Sequence, residues 1–336
     1  MKSFLTLFLI SLILFSCTHQ NVEIIPFTFR YQSSIRGLYN VNKAISWASG
    51  TNGYTFRSVN NSWYAKRDTA WALTDFRDVH SFKDNEAIIM SSGDGCKMYK
   101  TTDAAETWDL VYENNEPGIF FDGMDFWDDK NGIAFSDPID NKLFIIRTKD
   151  GGDTWQHLQN VELPQTIKGE AGFAASGTGI VCVGDSAVYI GTGGGEVARI
   201  FRSDNRGLNW SVVETPMMKG AASGIYSITF LDELNGVAVG GNYLDSANTK
   251  GNCIVTADGG LTWQLSQTPP TGYRSCVAHN GKGVLVSTGR NGVDVSFDKG
   301  NNWEHISDKA YYSCILNGDS GWLSGRNNMA MIKITQ

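Results

Sequence analysis

The sequence predicts an all-β protein, a seven-bladed propeller of four-stranded blades closed by an N-terminal strand, and three observations carry that expectation. An eight-residue figure ending in Trp recurs at 101–108, 148–155, 203–210, 256–263 and 296–303. Repeats at this period signal stacked supersecondary units. The composition agrees, because 37 Gly beside 19% charged residues suits many short strands joined by tight turns. Finally, the last unit offers three strands, while an alternating segment at 26–31 near the start has no partner of its own. Joining the two closes the ring and removes an open sheet edge.

Taken in order, residues 1–16 read as a signal segment, with Lys2 ahead of an apolar run too short for a comfortable membrane span. The run ends at Leu14-Phe15-Ser16-Cys17, which resembles the lipobox of bacterial lipoproteins. That resemblance implies a lipidated Cys17, a tether over 17–23, a propeller over 24–336, and residence in the bacterial cell envelope with membrane contact through the lipid anchor alone. Unit one has strands at 34–38, 44–50, 54–59 and 63–66. Unit two has them at 75–82, 86–93, 97–101 and 108–112, and unit three at 121–127, 132–137, 143–148 and 155–158. Unit four, at 180–184, 187–191, 198–203 and 210–214, is preceded by an insertion at 168–179. Units five and six follow at 225–266 and 273–306, and the three-stranded unit covers 311–334.

Within the recurring figure, the carboxylate or amide of Asp103, Asp150, Asn205, Asp258 and Asp298 is placed to accept backbone N–H groups across the turn. Trp108, Trp155, Trp210, Trp263 and Trp303 supply large rings for burial between strands. These are structural tasks. The figure resembles the Asp-box (BNR) repeat of sialidases and related propellers. The surrounding texture, as in Asn235-Gly236-Val237-Ala238-Val239-Gly240, is similar to the Ycf48/Hcf136-like branch, which includes assembly factors. The resemblance spans nearly all of 24–336 and implies a fold more than a chemistry, since enzymes and non-enzymes share it. A sialidase-like reading lacks the early Arg-Ile-Pro segment: Phe29-Arg30-Tyr31 and Ile35-Arg36-Gly37 stand there instead.

Several function classes fall away. The formal charge of −7 provides no basic footprint for nucleic acid. Without Cys17, five cysteines remain at long irregular spacings, with no CxxC pair, so no metal site is expected. Gly191-Thr192-Gly193-Gly194-Gly195-Glu196 lacks the third Gly of a dinucleotide fingerprint, and no cofactor is expected.

Strand direction puts all the repeated figures on one rim. Binding residues are expected on the other, where loops from every blade converge. The candidates there are Arg36, Arg77, Asp78, Asp122, Glu170, Tyr226, Arg274, Arg290 and Arg326, with the 168–179 insertion reaching over them. Arginine forks suit carboxylates and sulfates. The expectation is a monomeric, non-catalytic binding or assembly propeller that recognises an envelope protein segment or an anionic glycan. The alternative is a glycan-active hydrolase or lyase, using Asp78, Asp122 and Glu170 beside Arg77 as acid and base.

Overall fold

The computed structural model describes residues 21–93, 95–159 and 161–335; the expected signal segment and Cys17 lie outside them. The described residues form seven four-stranded antiparallel sheets, each a blade of a closed ring. Blade 1 runs Ile35–Asn40, Ile45–Gly50, Tyr54–Val59 and Ser62–Arg67. The inner strands of blades 2 to 7 are Asp75–Lys83, Phe121–Phe126, Ile180–Val183, Ser223–Phe230, Cys276–His279 and Ser313–Asn317. Blade 7 is completed by Asn21–Phe27, which pairs along Met329–Thr335 from Asn21↔Thr335 to Phe27↔Met329.

That closing strand lies earlier than the alternation at 26–31 suggests, and Asn21 to Glu23, expected in the tether, belong to it. The reason is packing. Val22 and Ile24 pack against the apolar seam between blades 6 and 7. Phe29 and Tyr31, past the strand end, are half-buried and pack on Phe56 at 5.5 Å each, so their alternation marks a crossing over the closing seam rather than a sheet.

There is no single central core. Each of the seven blade-to-blade seams has its own apolar cluster. Trp47, Phe76 and Ile89 join blades 1 and 2, and Phe135, Ile180 and Val188 join blades 3 and 4. Ile35, Trp63 and Trp322 fill the closing seam. Burying such side chains contributes about 1.5–3 kcal/mol each. Near the axis, polar side chains on inner strands bond to the next blade. The Met124 N–H donates to Asp78 Oδ2 at 2.8 Å and the Cys182 N–H to Asp125 Oδ2 at 2.7 Å. Ser313 Oγ donates to the Arg36 carbonyl across the closing seam.

The five repeated turns share one bonding scheme. In the fourth, Thr256 Oγ1 donates to Asp258 Oδ1 at 2.8 Å and accepts from the Gly260 N–H at 3.0 Å. Thr262 closes the turn, its N–H to Oδ1 and its hydroxyl to Oδ2 of the same carboxylate. These bonds hold Asp258 down to a pKa of about 2. Asp103, Asp150, Asn205 and Asp298 make equivalent bonds. Two successive residues take positive φ at each turn: Gly259 and Gly260 in this copy, Ala104 and Ala105 in the first. Trp155, Trp210, Trp263 and Trp303 are buried, and Trp108 is half-buried against blade 1.

Candidate ligand-binding cleft

The cleft is built on one recurring irregularity. The inner strands of blades 1, 2, 3 and 5 each contain a bulge, and the residue it leaves out of the ladder is Arg36, Arg77, Asp122 or Tyr226. A bulge kinks its strand and re-aims the unpaired side chain. It occupies the same place in each blade, so four side chains are brought to one ring on the rim opposite the repeated turns.

The insertion preceding blade 4 then enters that ring and blocks the axis. The Gly172 N–H donates to Asp137 Oδ1 at 2.9 Å, Arg77 Nη1 donates to the Ala174 carbonyl at 3.2 Å, and Arg36 Nη1 to the Ala175 carbonyl at 2.9 Å. Phe173 stacks on Tyr226, with ring centroids 3.9 Å apart. Ser176 Oγ donates to the Ser275 carbonyl at 2.8 Å, and the Thr178 and Ser227 hydroxyls lie 2.6 Å apart. The plug therefore touches blades 1, 2, 3, 5 and 6. It is tightly seated: a Cβ on Gly177, whose φ is +77°, would lie 2.3 Å from Asp78 Oδ1.

Above the plug is a cleft of about 200 Å³, with Arg36, Arg77 and Arg290 on its walls among Phe173, Tyr226, Tyr243, Tyr273 and Tyr312. Arg36 lies over the Tyr312 ring at 4.3 Å and Arg290 over Tyr243 at 5.6 Å. Arg77 is bonded through Nε to Asp75 at 2.8 Å. Burial, followed by the charge of Arg77, lowers the pKa of Arg36, so an anion between these guanidiniums relieves a strain that Asp75 only partly offsets. Burial pushes the phenols of Tyr226 and Tyr273 up, keeping them neutral donors.

Five expected site residues do not face this cleft. Arg274 is fully buried. Its Nε donates to Asp294 Oδ2 at 2.6 Å and its Nη2 to Thr271 Oγ1 at 2.9 Å. The neighbouring Tyr273 reaches the cleft, and adjacent residues on an extended chain face opposite ways. Glu170 anchors the base of the plug through Arg199 and the Thr192 hydroxyl, the latter at 2.6 Å. Asp78 bonds the Val79 and Met124 N–H groups inside the blade ring. Asp122 shares the bulge position with Arg36 but lies wholly buried under Gly172, where burial and then Asp137 push its pKa well up. Asp78, Asp122 and Glu170 are all buried, and Asp78 lines the axial space below the plug, so the three do not converge on the cleft. Arg326 is exposed on the rim, outside the cleft. Tyr243 and Tyr273 were not anticipated. Their only sequence signal is position, just past a second strand and just before an inner one.

The comparisons belong with this geometry. A structure of YCF48 bound to D1 peptide superposes with a TM-score of 0.65 over 93% of this chain and 95% of that one, at 14% identity. YCF48 from Cyanidioschyzon merolae gives 0.64 over 93% and 98%, at 15% identity. The fold is shared with YCF48. At such identities the likeness concerns architecture alone. No family model matches the chain. A curated xyloglucanase from Paenibacillus sp is 29% identical over 248 residues, covering 61% of this chain and 23% of the relative, so the match spans less than a quarter of that protein's length.

Below the plug the axis opens again as a blind chamber of about 330 Å³, lined by the far ends of the inner strands and reached from the rim of the repeated turns. Its walls include His80, Asp125, His279 and Cys314. Burial lowers the pKa of His80 to about 3 and raises that of Asp125 to about 6.

Proposed function

We propose that this protein is a binding or assembly propeller whose rim cleft captures a protein segment through a carboxylate, most simply a chain terminus. The carrying observation is the convergence of Arg36, Arg77 and Arg290 on one aromatic-walled cleft with Asp75 as the sole carboxylate bonded to any of them among the described residues. Two guanidiniums present a carboxylate with parallel donors, while Tyr226, Tyr243 and Tyr312 offer flat faces for an adjoining side chain. The fold shared with a peptide-bound YCF48 supports this reading. Cell-envelope residence through a lipidated Cys17 completes the proposal.

The similarity to a xyloglucanase sets the competing reading, glycan binding or cleavage. The test is a peptide array carrying each sequence with a free or an amidated C-terminus, run beside xyloglucan oligosaccharides. Free-carboxyl peptides are expected to bind, and Arg290→Ala to weaken them at least ~10-fold with unchanged thermal stability. Arg290 suits this test because its only bond is a 3.3 Å contact to the Tyr243 carbonyl. Equal capture of amidated and free peptides would exclude the carboxylate; binding or trimming of the oligosaccharides alone would favour the glycan reading.

A further inference from the structure

The chamber beneath the plug is built by the whole ring. Each of the seven inner strands lines it, and Ser176, Gly177 and Thr178 of the plug form its roof, so it is separate from the cleft above. Its wall is apolar along Val79, Ile180, Ile228, Val277 and Ile315, and among the described residues no Lys or Arg lines it. One part of the wall is polar. There His80 is buried, its ring packed on Tyr39 at 4.4 Å and on Phe126 at 4.3 Å. Its Nδ1 stands 3.9 Å from Asp125 Oδ1, beyond hydrogen-bonding reach. Neither ring nitrogen has a hydrogen-bond partner among the described residues.

We propose that this chamber binds a small primary alkylammonium, whose nitrogen bridges Asp125 and His80 and whose chain lies along the apolar wall. The gap fits such a group, because one nitrogen about 2.9 Å from each atom can donate to both. The imidazole is free to take the tautomer that accepts, since neither nitrogen is committed elsewhere. His279, the other imidazole of the wall, differs: its Nδ1 already accepts the Gly281 N–H at 3.2 Å. A volume of about 330 Å³ with mostly apolar walls and a few convergent polar groups is the make-up of a small-molecule site.

Charge selects the class of ligand. Asp125 accepts the Phe126 and Cys182 N–H groups at 2.8 and 2.7 Å, yet burial still pushes its pKa up to about 6. Above neutral pH it is an anion with no cation beside it, because burial holds His80 neutral and pushes Asp78 well up. An ammonium supplies the missing charge through a charge-assisted bond, roughly twice as strong as a neutral one. Among the described residues no group of three or more His, Cys, Asp or Glu is placed to hold a metal ion, which favours an organic cation. The inference is independent of what the cleft binds.

The test is titration of the folded full-length chain, at about pH 7.5 where Asp125 is ionised, with n-butylammonium, n-butanol and butyrate. The ammonium is expected to bind and to shift the imidazole nitrogen resonances of His80, and the alcohol and the carboxylate to bind at least ~10-fold more weakly by calorimetry. Asp125→Asn removes the charge, and His80→Phe removes the acceptor while keeping the ring packing. Each is expected to cut ammonium affinity at least ~10-fold, with the fold verified by circular dichroism. Asp125 also holds two backbone N–H groups, so if Asp125→Asn does not fold, His80→Phe reads the same bridge. Equal affinity for butanol and butylammonium, ammonium binding unchanged in His80→Phe, or His80 resonances unmoved by the ammonium would overturn the proposal.

Discussion

Arg274 shows how one position decides between ligand and structure. It carries a positive charge into a site with no solvent contact, where Asp294, Thr271 and Asn291 absorb it. Removing one member of such a buried pair strands the other charge, typically at a cost of about 3–5 kcal/mol. Arg274→Ala is therefore expected to lower unfolding stability by that amount in a urea titration, while Arg290→Ala changes it little; equal stability for the two would contradict the burial. The sequence contains Tyr273-Arg274 as a charged, aromatic pair at a strand entrance, and nothing in it says which of the two turns inward. That choice depends on Asp294, two strands away across the blade, and pairings at that separation leave no local mark. The bulge residues are different. Ile35-Arg36-Gly37, Phe76-Arg77-Asp78, Phe121-Asp122-Gly123 and Ile225-Tyr226-Ser227 repeat an apolar–X–small pattern, so all four central residues are placed on the rim by the repeat alone.

At the level of the element, the plug is held by neighbours from five blades, and one of its anchors titrates. Asp137 accepts the Gly172 N–H, and burial raises its pKa from 3.8 to about 6. A carboxyl raised in the folded state holds extra protons there. Its contribution to stability is full below about pH 4 and is lost as the pH rises through about 6. Asp122 faces the same carboxyl and Arg77 faces Asp122, so the group titrates beside one acid that stays protonated and one cation. Stability measured by denaturant between pH 4 and 7 is expected to fall, and Asp137→Asn, which keeps an acceptor for Gly172, to flatten that slope by up to one proton. An unchanged slope would separate Asp137 from the plug. The insertion at 168–179 was visible as an interruption of the repeat. Its descent into the axis was not, because the bonds that draw it there come from Ser275, Ser227 and two arginines, each of which reads alone as an ordinary strand residue.

For the whole molecule, the ring depends on the pairing of the first described strand, Asn21–Phe27, with the last, Met329–Thr335. The count of seven blades is legible from five copies of the turn figure, a strand unit on either side of them, and an unpaired strand near the start to complete the last. The closing strand was located within a few residues, and aromatic residues beyond its end blurred its limit. Deleting residues 21–27 leaves Met329–Thr335 as a bare edge and strips Val22 and Ile24 from the seam between blades 6 and 7. The truncated protein is expected to melt at least ~5 °C lower and to self-associate on size-exclusion chromatography, with a synthetic peptide of the missing strand restoring both. A monomer of unchanged melting temperature would show that closure is dispensable. The same strand also gives the molecule a direction. Its register sets Asn21 opposite Thr335, at the end of the blade that bears the repeated turns, while Phe27 lies toward the cleft rim opposite Met329. Any leash attached ahead of Asn21 thus leaves from beneath the disk, and the arginine-walled mouth looks away from whatever holds that leash, open to the surrounding space like an upturned cup.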